Sequence, residues 1–600
     1  MQLTTIDWAI ILAVIAVAVG VGAAVARQAG KNASQFFLSG RSMSGVWLGI
    51  SIVATTFAAD TPGLVTEFVR QDGIAGNWRW WALLLTGMLT VFLYARLWRR
   101  SGVTTDLEFY ELRYSGPPAA ALRAFRAIYL GVVFNVIVMA IVSLAAIKIG
   151  QVMFGFTPIQ VLLWGGLSTL LFSTTGGFRA VILTDCILFV VAIGGAVAAA
   201  YFAVNHPDVG GLANLLTHER VVGKLNLVPA WDWSNPDARE SLLMVFIIPL
   251  SVQWWSMWYP SAEPGGGGYL AQRMLAAKNE NHAVGAVMLF NAVHYAIRPW
   301  PWILVALASL VVFPTVTDLG IAFPDIAQDK LGNDLAYPAM LTFASEGWQG
   351  LIVASLLAAY MSTISTHLNW GSSYVVNDFY QRFIEPNASD RNLVRVGRVS
   401  TIIMMLLASL LALWLNTAEQ GFTILLQVGA GTGLIYILRW YWWRINAYAE
   451  IVAMVISFAI ALFFQWSPDL LSDSQQLCAG VLITTCCWML TIMLTPAESR
   501  ETLESFCRLI RPAGPGWAKV YRDAEQAGQP ITGPGPGESL PLGILRMVLG
   551  CIGIYAALFA VGYALFGNTM VCITLGSVSL VAALLLLATY RRQPARSTPS

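Results

Sequence analysis

The sequence predicts an all-α integral membrane protein of about fifteen transmembrane helices, built around a five-plus-five inverted repeat with discontinuous core helices 1 and 6. Three observations predict it. The chain is 57% apolar and only 11% charged, with a mean hydropathy of +0.65, whereas a soluble protein carries about 25% charged residues. Apolar runs long enough to cross a bilayer recur along the whole chain. Two of those runs, five spans apart, are interrupted by proline, glycine and a carboxylate.

A hydrocarbon core of about 30 Å takes about 20 apolar residues per helix. That window gives spans at 6–26, 43–68, 78–98, 127–153, 157–176, 180–204, 241–262, 284–313, 348–378, 394–415, 421–441, 448–465, 474–495, 541–566 and 569–590. The first run is too long for the apolar part of a cleavable leader and has no basic flank before it, so it reads as a span. The chain accordingly divides into an added helix and loop (1–42), a ten-helix core (43–441), two further helices (442–495), a Gly/Pro-rich linker (496–540) and two last helices with a basic tail (541–600).

Basic residues set the orientation. With the N-terminus outside, 27 of the 35 Lys and Arg fall on cytoplasmic segments and helix ends and 6 fall outside, with Lys148 and Arg298 inside spans. This asymmetry predicts a multi-pass plasma-membrane protein (inner membrane in a bacterium), N-terminus out and C-terminus in. The bilayer is then an obligatory partner. No GxxxxGK[ST] loop or soluble catalytic segment occurs, which argues against an ATP-driven pump and against a nucleotide or nucleic-acid partner. The seven cysteines show no CxxC or Cys/His spacing and read as packing residues.

The second span contains "FAADTPGLV" (57–65), interrupted at Ala58–Gly63. The seventh runs into "WWSMWYPSAEPGGGG" (254–268). Non-helical backbone at membrane depth is tolerated only where it lines a cavity or is buried in protein, and paired interrupted helices supply carbonyls and helix ends to a midplane site. Asp60 therefore marks a candidate binding site, the alternative being a simple proline kink. The ninth span, "LLAAYMSTISTHLNWGSSYVVNDFY" (356–380), places Ala359, Ser362, Thr363 and Thr366 on one helical face with Ser365 at its edge. Such hydroxyl and carbonyl oxygens suit a hard cation; helix packing through small residues is the other reading.

Five blocks now carry a resemblance. "GLIVASLLAAYMSTISTHLNWGSSYVVNDFYQRF" (350–383) resembles the signature helix of the sodium/solute symporter family, with its Ala-x-x-Ser-[Ser/Thr] element. "FFLSGRSMSGVWLGISIVATTFAAD" (36–60), "GGFRAVILTD" (176–185), "YLAQRMLAAKN" (269–279) and "RVGRVSTII" (395–403) resemble further family blocks in order, covering roughly residues 1–465. The resemblance implies a ten-helix inverted-repeat transporter core and a sodium ion held by carbonyls of Ala58, Thr61 and Ala359 with the hydroxyls of Ser362 and Thr363. It implies a second sodium at Asp185, Ser365 and Thr366, as in sialic-acid-transporting members, and a coupling role for Asp60, as in proline-transporting ones. An ordinary interfacial place is the alternative for Asp185.

For the solute the sequence offers Arg298, inside the eighth span, as a carboxylate clamp or as the neutralising partner of Glu263 or a core aspartate. Trp258 and Tyr259, before the second break, are candidates to stack on a ring, and Gln427 matches a solute-contacting glutamine of sugar-transporting members. The stretch "PSAEPGGGG" departs from the sugar transporters, so sugar, amino acid and carboxylated sugar all fit. The expected function is a sodium-coupled importer of a small polar organic solute working by alternating access. The alternatives are a membrane sensor on a symporter-like core and a dedicated proline or amino-acid transporter; an enzyme is not expected, because Asp60, Asp185 and His294 lie on separate helices without acid/base or metal spacing.

Overall fold

A computed structural model of the chain describes residues 3–29, 32–256, 263–415, 431–467, 470–535 and 537–591. Among these residues every regular element is helical. Eleven helices are long and apolar enough to cross a membrane, and each coincides with one of the predicted spans. The other four predictions are shorter or interrupted elements: the two broken helices, the first half of a kinked pair, and 421–441, of which 421–430 lie outside the described residues. Membrane helices that line a site are allowed these interruptions because neighbouring protein re-satisfies the freed backbone groups.

The chain divides into two units. The first comprises residues 1–79, 125–247 and 298–424. Its main helices are α1 (Thr5–Ala29), α2 (Gly45–Thr55), α3 (Thr61–Asp72), α4 (Asn135–Phe154), α5 (Pro158–Val204), α6 (Trp348–Ser373) and α7 (Asp390–Trp414). Helix α5 packs most extensively on α6 and α1 and also touches α2. It starts with a capping box, Thr157 accepting from the Gln160 N–H, and a proline in its first turn. Its 47 residues hold two predicted spans, separated where Gly177 adopts φ 56°, ψ −162°. Only glycine takes that conformation cheaply. Gly177→Ala is therefore expected to cost about 1–3 kcal/mol and to lower the thermal midpoint of the purified protein; an unchanged midpoint would show that the kink relaxes into straight helix.

Helix α6 is buried almost from end to end, and its polar positions Ser362, Thr363, Ser365, Thr366, His367 and Asn369 are all inside protein. A helix can carry that many polar groups at membrane depth only if each finds a partner. Lys148, the other intramembrane cation flagged by the sequence, meets the Asp334 carboxylate at 2.7 Å. His367 Nδ1 lies 2.5 Å from Asn135 Oδ1, and the Asn135 side chain also donates to the His367 carbonyl. These pairs join α4 to α6 and to the loop before it.

The second unit comprises residues 80–124, 248–297 and 425–600. Here the predicted linker is a folded layer. Residues Arg500–Ile510 form α8 and Ala518–Gln526 form α9, both strongly amphipathic; Leu540–Leu565 (α10) and Thr569–Arg591 (α11) follow as an antiparallel pair. Arg113 is fully buried: it donates to the carbonyls of Arg439, Trp442 and Trp443 and lies over the rings of Trp517 (4.9 Å) and Phe506 (5.5 Å). Trp517 Nε1–H donates to the Trp440 carbonyl at 2.9 Å. The prolines and glycines of 512–535 lie in short connections around docked helices, which composition alone reads as a flexible stretch. Cys507 on α8 is buried, and burial pushes its thiol up to about 12, so it is an inert packing residue.

Candidate functional site

The first unit assembles the site around the first break. Helix α2 ends at Thr55 with Thr56 as its cap, and α3 begins at Thr61, so the gap is residues 56–60. Pro62 and Gly63 do not open it. They sit in the first turn of α3, where proline lacks only an N–H that would have no intrahelical partner. The interruption therefore lies about half a turn earlier than the sequence reading placed it, and the chain turns at Phe57, whose N–H reaches back to the carbonyls of Val53 and Ala54.

The hydroxyl stripe of α6 meets α2 and α5 through one carboxylate. Asp185, two turns after the Gly177 kink, is fully buried. Its Oδ2 accepts from the Ser51 hydroxyl at 2.5 Å and its Oδ1 from the Ser362 hydroxyl at 2.6 Å. Thr55 Oγ1 lies 3.5 Å from the same Oδ2 and 2.9 Å from Thr366 Oγ1. The Thr363 hydroxyl donates to the Thr55 carbonyl at 2.7 Å. Three helices thus converge on hard oxygen atoms: a carboxylate, hydroxyls and a helix-end carbonyl. Hydrogen bonds to an ionised carboxylate are about twice as strong as neutral ones, and the same oxygens are the ligand types that a hard cation prefers.

The predicted residues fall into groups. Asp185, Ser362, Thr363 and Thr366 come together. Ala359 lies one turn before them on α6 and is buried. Ser365 instead bonds its own helix, donating to the Ser362 carbonyl at 3.0 Å. The Ala58 carbonyl accepts the Thr61 N–H at 3.2 Å, and Thr61 belongs to α3; the carbonyl that meets the α6 hydroxyls is that of Thr55. Asp60 stands at the N-cap position of α3 without a side-chain capping bond, and its Oδ1 is buried with no hydrogen-bond partner. Trp258, Tyr259 and Gln427 lie outside the described residues.

Arg298 departs from its expected role as a solute clamp. Its guanidinium, 1% exposed, donates to the Val53 carbonyl (2.9 Å), the Thr56 hydroxyl (3.0 Å) and the Thr56 carbonyl (2.8 Å), and stacks near the rings of Phe57 and Trp302. The Thr56 carbonyl is one that the ending of α2 leaves without a helical partner, and the Val53 carbonyl accepts from Arg298 as well as from the Phe57 N–H. Arg298 is a cap on the broken helix. Glu263 also departs from the expectation. In the second unit its carboxylate lies 3.2 Å from the Arg439 guanidinium, which also meets Glu450 and the Tyr110 hydroxyl; Glu450 in turn accepts from Tyr114.

Ser51 and Thr55 were missed. The signal was present, since positions i and i+4 share a helix face. Isolated hydroxyls in an apolar run are nevertheless common, and only the Asp185 carboxylate distinguishes these two.

Among the described residues, a broken helix held against a hydroxyl-rich helix by a buried carboxylate, in a chain of membrane-spanning helices, is an architecture that secondary transporters share. The model of the sodium:solute symporter family matches residues 36–457, and the chain belongs to that family. It is 25% identical over 505 residues to the sodium/glucose cotransporter of Vibrio parahaemolyticus, covering 80% of this chain and 89% of that one. It is 24% identical over 453 residues to the sodium/sialic acid symporter SiaT of Proteus mirabilis, covering 73% and 86%. A solved sodium-coupled sialic acid symporter in its substrate-bound outward-open state superposes with a TM-score of 0.65 at 19% identity, covering 83% of this chain and all of that one, which shows the shared fold. The family consists of sodium-coupled transporters, so the chain is not an enzyme and sodium is its co-transported ion.

Proposed function

We propose that this symporter imports a small polar organic solute with sodium bound at the Asp185 cluster, and that its solute is sugar-like. The observation that carries the ion site is the division of the Asp185 carboxylate between Ser51 on α2 and Ser362 on α6. A hydroxyl can turn its hydrogen away and offer a lone pair, so the groups that now donate to Asp185 become ligands when a cation enters. Sodium would then bind α2 to α6 through α5. Ser362, Thr363 and the helix-end carbonyls serve a first ion; Asp185 with Ser51, Thr55 and Thr366 serves a second. Asp60, at the N-terminal end of α3, is the proposed coupling group beside the solute path. Arg298 and Glu263 are positioning residues in this reading, and Trp258, Tyr259 and Gln427 stay as proposed solute contacts. The glucose and sialic-acid relatives support a sugar-like solute over proline. A partner kinase bound to 496–540 would support the sensor alternative, and robust transport by the purified protein would count against it.

The energetics suffice. Each sodium ion contributes about 2.3 kcal/mol per 100 mV of membrane potential, and a tenfold gradient adds about 1.4 kcal/mol. Two ions supply about 7 kcal/mol, which sustains solute accumulation of about 10⁵-fold at the limit. The orientation that uses them is N-terminus outside and C-terminus cytoplasmic in the plasma membrane, supported by the distribution of basic residues.

Ser362→Ala removes one hydrogen bond to a charged acceptor, worth about 1.5–3 kcal/mol. Sodium-driven uptake should accordingly need about tenfold or more sodium for half-saturation. Uptake by this variant with an unchanged sodium requirement would take Ser362 out of the ion site. The solute is named by a thermal-shift screen of sugars, amino acids and organic acids with and without sodium. A sugar that stabilises the protein only with sodium is expected, and stabilisation by proline alone would overturn the sugar-like assignment.

A further inference from the structure

A basic pocket in the second unit lies where three spans end together. It is lined by Arg96 in the last turns of Ile74–Ser101, Arg546 near the start of α10, Tyr590 at the end of α11, and Arg511 and Glu538 from the docked layer. The Tyr590 ring lies beneath two guanidinium groups, 4.2 Å from that of Arg546 and 5.8 Å from that of Arg96. Arg546 also donates to the Thr589 carbonyl (2.9 Å) and hydroxyl (3.0 Å), which fixes α10 to α11. Glu538 does not neutralise this group. Its carboxylate is taken by Arg100 at 2.7 Å, with Arg96 at 4.0 Å, and Arg100 is shared with Glu280 at 3.0 Å. Four arginines (Arg96, Arg100, Arg511 and Arg546) against two glutamates (Glu280 and Glu538) leave the site net positive. Arg511 is exposed at the end of α8.

Depth and charge together select a ligand. Ends of membrane spans lie at the headgroup level of a bilayer, and planar guanidinium forks match the oxygens of a phosphate. Basic pockets between membrane helices are suited to anionic headgroups. Beside the pocket α10 presents the exposed apolar side chains Ile544, Leu545 and Val548, a surface that fits acyl chains. We propose that this pocket binds the phosphate of an anionic membrane phospholipid, whose chains lie along α10. The last two helices then have a function: with Arg96 they complete a lipid site at the end of the Ile74–Ser101 span. A zwitterionic lipid carries its own ammonium and gains less from a net positive site.

The test uses the purified full-length chain in neutral detergent. Its thermal midpoint and its lipid stoichiometry by native mass spectrometry are measured with phosphatidylglycerol, phosphatidylcholine or inorganic phosphate. Phosphatidylglycerol should raise the midpoint by several degrees and remain bound, and the other two should not. Arg96→Gln combined with Arg511→Gln should weaken the phosphatidylglycerol effect by roughly tenfold in apparent affinity, leaving the midpoint without lipid close to that of the parent. Arg391→Gln combined with Arg395→Gln, a basic pair at the start of α7 in the first unit, should leave the effect intact. Equal stabilisation by phosphatidylcholine, or reproduction by inorganic phosphate alone, would overturn the proposal. So would a full lipid response in the Arg96/Arg511 variant, or an equal loss in the α7 variant.

Discussion

Asp185→Asn should nearly abolish sodium-stimulated uptake while leaving a folded protein. The amide keeps the shape of the carboxylate and can still accept from one hydroxyl, so α2, α5 and α6 lose little packing. What disappears is the full negative charge beside a desolvated cation. At an effective dielectric constant of 20, two unit charges 4 Å apart interact by about 4 kcal/mol, which corresponds to roughly a thousandfold in affinity. The half-saturating sodium concentration should rise out of the working range, and the dependence of the remaining uptake on sodium should fall from second order to first. Ser51→Ala, which removes one of the two hydroxyls holding the carboxylate, should move in the same direction by a smaller step. A steep sodium dependence preserved in Asp185→Asn would show that the cluster only fastens helices.

Arg298→Lys should be nearly as damaging, for a different reason. The guanidinium uses two nitrogens to reach three acceptors at the end of α2. An ammonium is a point charge on a flexible stem and cannot reproduce that fork. Losing one charge-assisted bond at about 1.5–3 kcal/mol corresponds to roughly 10–100-fold in uptake. Because the freed groups belong to the break itself, the sodium requirement should rise together with the loss of rate. A solute clamp would behave otherwise: the lysine variant would raise the solute KM and leave the sodium requirement alone. Measuring both concentrations in one variant separates the cap from the clamp.

The membrane architecture was legible because hydrocarbon tolerates so few alternatives. Length and apolar composition found the eleven long helices, and Asp60 stood out because a carboxylate in an apolar run has few ordinary explanations. The stripe of α6 was legible from its period. The position of the gap was harder. Pro62 and Gly63 look like breakers in a linear string, yet proline in a first turn starts a helix, so the opening falls at 56–60 and the Thr55 carbonyl faces α6. Asp185 was legible only through resemblance, and Ser51 and Thr55 only once Asp185 was placed. Arg298 was recognised as an expensive residue with an unknown partner; three-dimensional contact alone shows that its partners include the carbonyls of Val53 and Thr56 at the end of α2. The docked layer of α8 and α9 escaped because helices of 11 and 9 residues are hidden by the glycines and prolines that join them.

Radioactive sodium binding to the purified protein tests the ion site without reference to the solute. The parent should bind two ions per chain, displaced by unlabelled sodium and not by choline, and Asp185→Asn should bind one. Equal binding by the two proteins would contradict a sodium ion at the carboxylate between Ser51 and Ser362.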